Sequence, residues 1–163
     1  MRNYPKPNPA LREGLFGRDP LNVPSAKRQA IIDTARTWIG TPYHHQGRSK
    51  SAGIDCIGLI VGVAADLGLK FNDYTDYQRF PDGVTLVAEL SKQATQTDEP
   101  HPGDIVCFKI TQLPQHVAIL SSKNTIIHAY APHGVVETHI PVSWAARAYA
   151  YFTYNEVKDR GEA

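Results

Sequence analysis

The chain has 163 residues, a formal net charge of +1 and two cysteines. That length suits one core and one domain. The mixed, nearly balanced charge gives no electrostatic case for nucleic acid or an anionic membrane, and two cysteines do not make a disulfide scaffold. No apolar run approaches the ~20 residues of a membrane span, and residues 1–9 lack the apolar segment of a secretory signal. The chain is therefore expected to be made in the cytoplasm, without a signal peptide.

Residues 1–24 hold five prolines among scattered charges and read as an extended arm. Ser25 is a good N-cap for a helix over 26–39, with Ile31, Ala35, Trp38 and Ile39 on its apolar face. Gly40 and Pro42 end it. A polar loop with Tyr43, His44, His45 and Gln46 then leads to Asp55-Cys56, where an apolar run to Leu67 reads as a buried helix ending at Gly68. Gly58 in its first turn allows close approach of another backbone. Residues 71–81 are irregular, and the aromatics Tyr74, Tyr77 and Phe80 read chiefly as packing that loop down. Asp82 can cap a short helix over 84–93.

After the Pro102-Gly103 turn the period changes to strand. Residues 104–109, 116–121, 125–130, 134–138 and 148–154 are rich in Val, Ile, Tyr and Phe, with short connections. The expectation is an α+β domain over 25–155, with N-terminal helices packed on a central antiparallel sheet of about five strands. Residues 156–163 read as a frayed tail.

Cys56 sits at a helix start, where unpaired N–H groups favour a thiolate and predict a pKa below the ~8.5 of a free cysteine. The adjacent Asp55 carboxylate opposes this. A nucleophilic cysteine needs a base and a group to orient that base. If the strands holding His116 and His128 form a hairpin centred near residue 122 or 123, the two imidazoles are opposite or diagonal, on one face. Val117, Ile119 and Ile127 then face a core on the other side. The plainer alternatives are a buried capping cysteine and structural histidines. No spacing matches the usual zinc signatures, so neither metal nor cofactor is expected. Cys107 reads as a buried core thiol.

Taken in order, Thr41-Pro42-Tyr43, Asp55-Cys56-x-Gly58-Leu59-Ile60, Pro102-Gly103-Asp104-Ile105-x-x-Phe108, His116-Val117-Ala118-Ile119 and Ile127-His128-Ala129 resemble the motifs of NlpC-type papain-like cysteine peptidases, which cut cell-wall peptide stems. The likeness is greatest to the branch found in phage tails and gene transfer agents, through Tyr43-x-His45-Gln46 and Gly134-Val135-Val136-Glu137. The resemblance implies Cys56 as nucleophile, His116 as base and then acid, and His128 as its orienting partner. It also implies Tyr43 at the oxyanion, and Asp55, His45 and Gln46 against the substrate. Where the family frequently has serine after the cysteine, this chain has Ile57. The implied substrate is a peptidoglycan stem, cut at the γ-D-glutamyl–diamino acid bond. Tail proteins are the implied partners, and delivery in a particle would bring the enzyme to the cell wall. A thiol amidase or acyltransferase, or a non-hydrolytic tail module, would carry the same pattern.

Overall fold

The computed structural model describes residues 24–79 and 82–157. The expected arm up to residue 23, Phe80, and the tail beyond Val157 lie outside them. Helix α1 (Ala26–Arg36) starts as expected, with Ser25 Oγ accepting the backbone N–H of Arg28 at 3.4 Å. It ends at Arg36 rather than residue 39, which corrects the reading of its apolar face. Trp38 and Ile39 donate to carbonyls three residues back, which tightens the turn and rotates the stripe. Trp38 stays buried while Ile39 comes out, 45% exposed.

A small hairpin follows that carries no sequence periodicity, β1 (Arg48–Ser49) with β2 (Gly53–Ile54). It feeds α2 (Cys56–Asp66), whose N-cap Asp55 accepts the Gly58 N–H at 2.8 Å. Leu59, Ile60 and Val63 are fully buried. A Cβ at Gly58 would lie 2.6 Å from Cγ1 of Ile54, so glycine is what lets the hairpin press against the helix start. Helix α3 (Val84–Gln93) is anchored as expected, Asp82 Oδ1 accepting from Val84 and Thr85 at 3.0 and 2.9 Å.

The sheet has six strands, one more than the five expected. They are β3 (Ala94–Thr97), β4 (Ile105–Lys109), β5 (Pro114–Leu120), β6 (Thr125–Tyr130), β7 (Gly134–His139) and β8 (Ala148–Tyr154). Their order is β3-β8-β4-β5-β6-β7, every pair antiparallel. The additional strand is β3, Ala-Thr-Gln-Thr at an edge, too short and polar to show an alternating signal. The architecture is α+β. Ile105, Cys107, Val117, Ile119, Ile127 and Phe152 share the main core with α1, α2 and α3, and Cys107 is fully buried there. Val106, Phe108, Ala118, Leu120 and Ile126 face the other way, where the short helix α4 (Val142–Ala145) brings Trp144 against them.

The Pro102-Gly103-Asp104 motif joins α1 to this sheet. A Cβ on Gly103, at φ +95°, would lie 3.1 Å from Cβ of Arg28. The fully buried Asp104 accepts from Arg28 Nη1 at 2.6 Å, Thr153 Oγ1 at 2.7 Å and the His101 N–H at 2.7 Å. The packed body also runs past residue 155. Asn155–Val157 form a 3₁₀ turn and Val157 is buried, so the expected frayed tail does not begin at Glu156.

Candidate active site

The loop before α2 brings Tyr43 to Cys56. The Ile54 N–H donates to the Pro42 carbonyl at 2.9 Å and the His44 N–H to that of Ile54 at 3.1 Å, with Tyr43 bridging Ile54 between them. Cys56 remains partly exposed, unlike Cys107. Backbone N–H groups of Val117, Ile57 and Cys56 itself favour its thiolate, and that of Val117 belongs to the residue following His116. Burial nevertheless pushes the thiol up to about 12, and the Asp55 carboxylate adds to the rise. The expected depression is therefore reversed in this resting site, because desolvation outweighs the helix-start field.

The two histidines meet as the hairpin argument required. Strand pairs Ile119–Ile127 and Leu120–Ile126 centre the hairpin on residue 123, which is the diagonal register. A hydrogen bond of 2.8 Å joins Nε2 of His116 to Nδ1 of His128. Both rings are buried, edge-on to Trp144 at 5.5 and 5.6 Å between centroids, and His128 also stacks on Tyr130. Burial holds His116 down to about 3, aided by its neighbour His128, and holds His128 down to about 4. Both are neutral at pH 7. The bond occupies Nε2 of His116 and leaves Nδ1 for a proton.

Tyr43, His45, Asp55, Cys56 and His116 line one cavity of about 260 Å³, with Trp144 also in its wall. His128 stands behind His116. Burial and the neighbouring Cys56 and Asp55 raise the Tyr43 hydroxyl above its ordinary value, keeping it a protonated donor. Gln46 does not line the cavity. Its side-chain amide donates to the Tyr77 carbonyl and its backbone N–H to Asp55 Oδ2, each at 2.8 Å.

The profile of the NlpC/P60 family matches residues 40–153. The chain belongs to the NlpC/P60 family. It is 32% identical over 112 residues to the Escherichia coli (strain K12) protein named Probable endopeptidase NlpC, covering 68% of this chain and 66% of that one. It is 26% identical to the Escherichia coli protein named Murein DD-endopeptidase MepS/Murein LD-carboxypeptidase, covering 80% of this chain and 62% of that one. The chain thus spans about two thirds of these relatives. Among solved structures, the NlpC/p60 domain of the peptidoglycan hydrolase SagA superposes with a TM-score of 0.57 at 26% identity, covering 77% of this chain and 97% of that domain. A Staphylococcus aureus NLP/P60 family protein superposes at 0.62 with 21% identity, covering 86% of this chain and 45% of that one, which shows the shared fold.

Within this NlpC/P60 site, sequence reasoning missed Arg48, Tyr77 and Trp144. Tyr77 does more than pack its loop: its hydroxyl donates to Asp55 Oδ2 at 2.6 Å. Arg48 donates to Asp55, Asp73 and Tyr77. Neither residue lies in a periodic segment, and the four residues of α4 carry too little pattern to place Trp144. The usable signal was a lone arginine between the tyrosine and cysteine motifs.

Proposed function

We propose that this NlpC/P60 protein is a cysteine endopeptidase that hydrolyses peptide stems of peptidoglycan, at the γ-D-glutamyl–diamino acid bond. The observation that carries the reading is that Cys56 and His116 line one cavity, with His116 joined to His128 by a 2.8 Å bond. Relatives named as endopeptidases and a peptidoglycan hydrolase support the substrate class.

The chemistry follows from the neutral resting pair. For His116 to accept on Nδ1, its other proton must sit on Nε2 and point at His128 Nδ1. As the Cys56 sulfur attacks the amide carbonyl carbon, its proton passes to His116 and the imidazolium is held by His128. Thiolate and imidazolium arise together, so neither has to exist alone in a buried site. The Tyr43 hydroxyl and the Cys56 N–H are the donors proposed for the oxyanion. His116 then protonates the leaving amine as the C–N bond breaks. Water, deprotonated by His116, attacks the thioester, releasing the new carboxyl end and returning the proton to sulfur. His45 and Asp55 form cavity wall against the stem, and Gln46 supports that wall from behind. Ile57 leaves no hydroxyl for substrate next to the nucleophile.

The motif likeness to phage-tail and gene-transfer-agent peptidases supports delivery to the cell wall within a particle, with tail proteins as partners. The test is product analysis on purified peptidoglycan by mass spectrometry. Stems cut between D-glutamate and the diamino acid, and uncut by Cys56→Ala, are expected. Cleavage between sugar and peptide would reassign the protein to the amidases. Unchanged stems would favour a non-hydrolytic module or an acyltransferase.

A further inference from the structure

Asp55 is buried beside the nucleophile, and its carboxylate is already full. Oδ1 accepts from the Gly58 N–H at 2.8 Å and Arg48 Nη1 at 3.1 Å; Oδ2 accepts from the Gln46 N–H at 2.8 Å and the Tyr77 hydroxyl at 2.6 Å. A carboxylate offers about four acceptor positions, so none is left over. Capping α2 accounts for only the Gly58 bond.

Arg48 is the cation in this set. It is largely buried, its side chain 19% exposed, against 3% for Asp55. Its Nε donates to Asp73 at 3.0 and 3.1 Å, and its Nη2 to the Tyr77 hydroxyl at 2.8 Å and the Tyr74 carbonyl at 3.4 Å. One guanidinium thus joins the β1–β2 hairpin, the start of α2 and the 71–79 segment. Tyr77 in turn lines the catalytic cavity and the larger one, about 380 Å³, that adjoins it between α2 and α3.

We propose that Arg48 is a positioning residue of the catalytic site, offsetting part of the charge of Asp55 next to Cys56 and clamping Tyr77 at the cavity wall. The consequence is electrostatic as well as steric. The Asp55 carboxylate, one residue from the sulfur, opposes negative charge there even with Arg48 in contact; without the guanidinium that opposition would be greater. The same saturation means Asp55 meets the stem as a wall whose acceptor positions are filled and not as the counter-ion of a substrate ammonium. That consequence rests on the peptidase reading, whereas the clamp itself does not.

Among the described residues, the other ionisable groups around the sulfur are His116, Cys107 and Tyr130 on the sheet, Tyr43 and His45 on the loop, and Arg79 and Arg147 in the cavity lining. Of these only Cys107 is altered, identically in the parent and in every variant. In a Cys107→Ser background, the iodoacetamide alkylation rate of Cys56 is followed against pH for the parent, Arg48→Met, Arg48→Lys, and Arg48→Met/Asp55→Asn. Folding of each is checked by thermal melting. Arg48→Met should move the alkylation midpoint up by about one pH unit. Arg48→Lys should move it less, and the double variant should return it to the parent value, since asparagine still caps the helix. If Arg48 only packs the loop, its removal opens the cavity: alkylation then speeds up, the midpoint stays put and Asp55→Asn rescues nothing. That result overturns the proposal. Should Arg48→Met fail to fold, Arg48→Lys against Arg48→Lys/Asp55→Asn decides, an unmoved midpoint in both being the contrary outcome. Stem hydrolysis is assayed in parallel. Shifted alkylation with no hydrolysis by the parent would leave the clamp standing and remove the peptidase reading.

Discussion

At the scale of single residues, the site is a set of groups kept neutral by burial until they react together. His116 and His128 are held down to about 3 and 4, below the ~6.5 of an imidazole in an unfolded chain. Between those values the unfolded chain binds protons that the folded one does not, so stability falls as pH drops through that window. We expect the urea midpoint to fall from pH 7 to pH 4.5, and to fall less in a His116→Gln/His128→Gln variant. Equal slopes in urea titrations of the two proteins would contradict the buried neutral pair. The roles differ too. His116→Ala should remove turnover as completely as Cys56→Ala, because base and nucleophile act as one unit. His128→Ala should retain a measurable fraction, since it orients the base without taking the proton from sulfur. A His128 variant weaker than the His116 variant in matched kcat/KM measurements would exchange those roles.

At the scale of elements, two contacts between separate parts of the chain hold the site in place. The first is Arg28 of α1 with Asp104 at the entry to β4, both almost completely buried. Burial keeps the Asp104 carboxyl raised even against the guanidinium. Arg28→Met would strand that carboxylate, and we expect a loss of roughly 3–5 kcal/mol in urea unfolding. The loss should shrink at low pH, where Asp104 is protonated. The second is α4, whose Trp144 stands edge-on to both imidazoles. Trp144→Ala should admit water, raise both histidines towards their ordinary range and move the acid limb of kcat/KM to higher pH; an unmoved limb would mean that Trp144 does not govern their desolvation.

These elements also mark what could be read from the sequence. Strands β6 and β8 begin and end at the residues their β-branched and aromatic runs indicate, and α2 starts at the cysteine that an apolar run after a polar loop singled out. That His116 and His128 share one face follows from hairpin symmetry, while the choice of the diagonal register over the opposite one needed the strand pairing. Strand β3, the β1–β2 hairpin and α4 are two to four residues long and have no room for a period. Arg48, in the two-residue strand β1, and Tyr77, in an irregular segment, meet Asp55 from 7 and 22 residues away; such side-chain hydrogen bonds leave no trace in hydrophobic spacing. The Cys56 pKa was misjudged for a related reason. A helix start is visible in sequence, whereas the depth to which it sinks depends on what packs over it.

At the scale of the whole molecule, a six-stranded antiparallel sheet carries the histidines on β5 and β6 and receives α2 end-on beside them. The proposed nucleophile and base come from different layers, Cys56 from α2 and His116 from β5, and both line one cavity. The central claim is that Cys56 and the histidine pair form one chemical unit. The direct measurement is the alkylation rate constant of Cys56 at pH 7.5 in a Cys107→Ser background, with and without His116→Ala. With the histidine present, the thiol can give up its proton as it reacts. We therefore predict a fall of about tenfold or more when His116 is removed, with the fold intact by circular dichroism. A rate unchanged by that substitution would contradict the account, leaving Cys56 a partly exposed cysteine that happens to begin a helix.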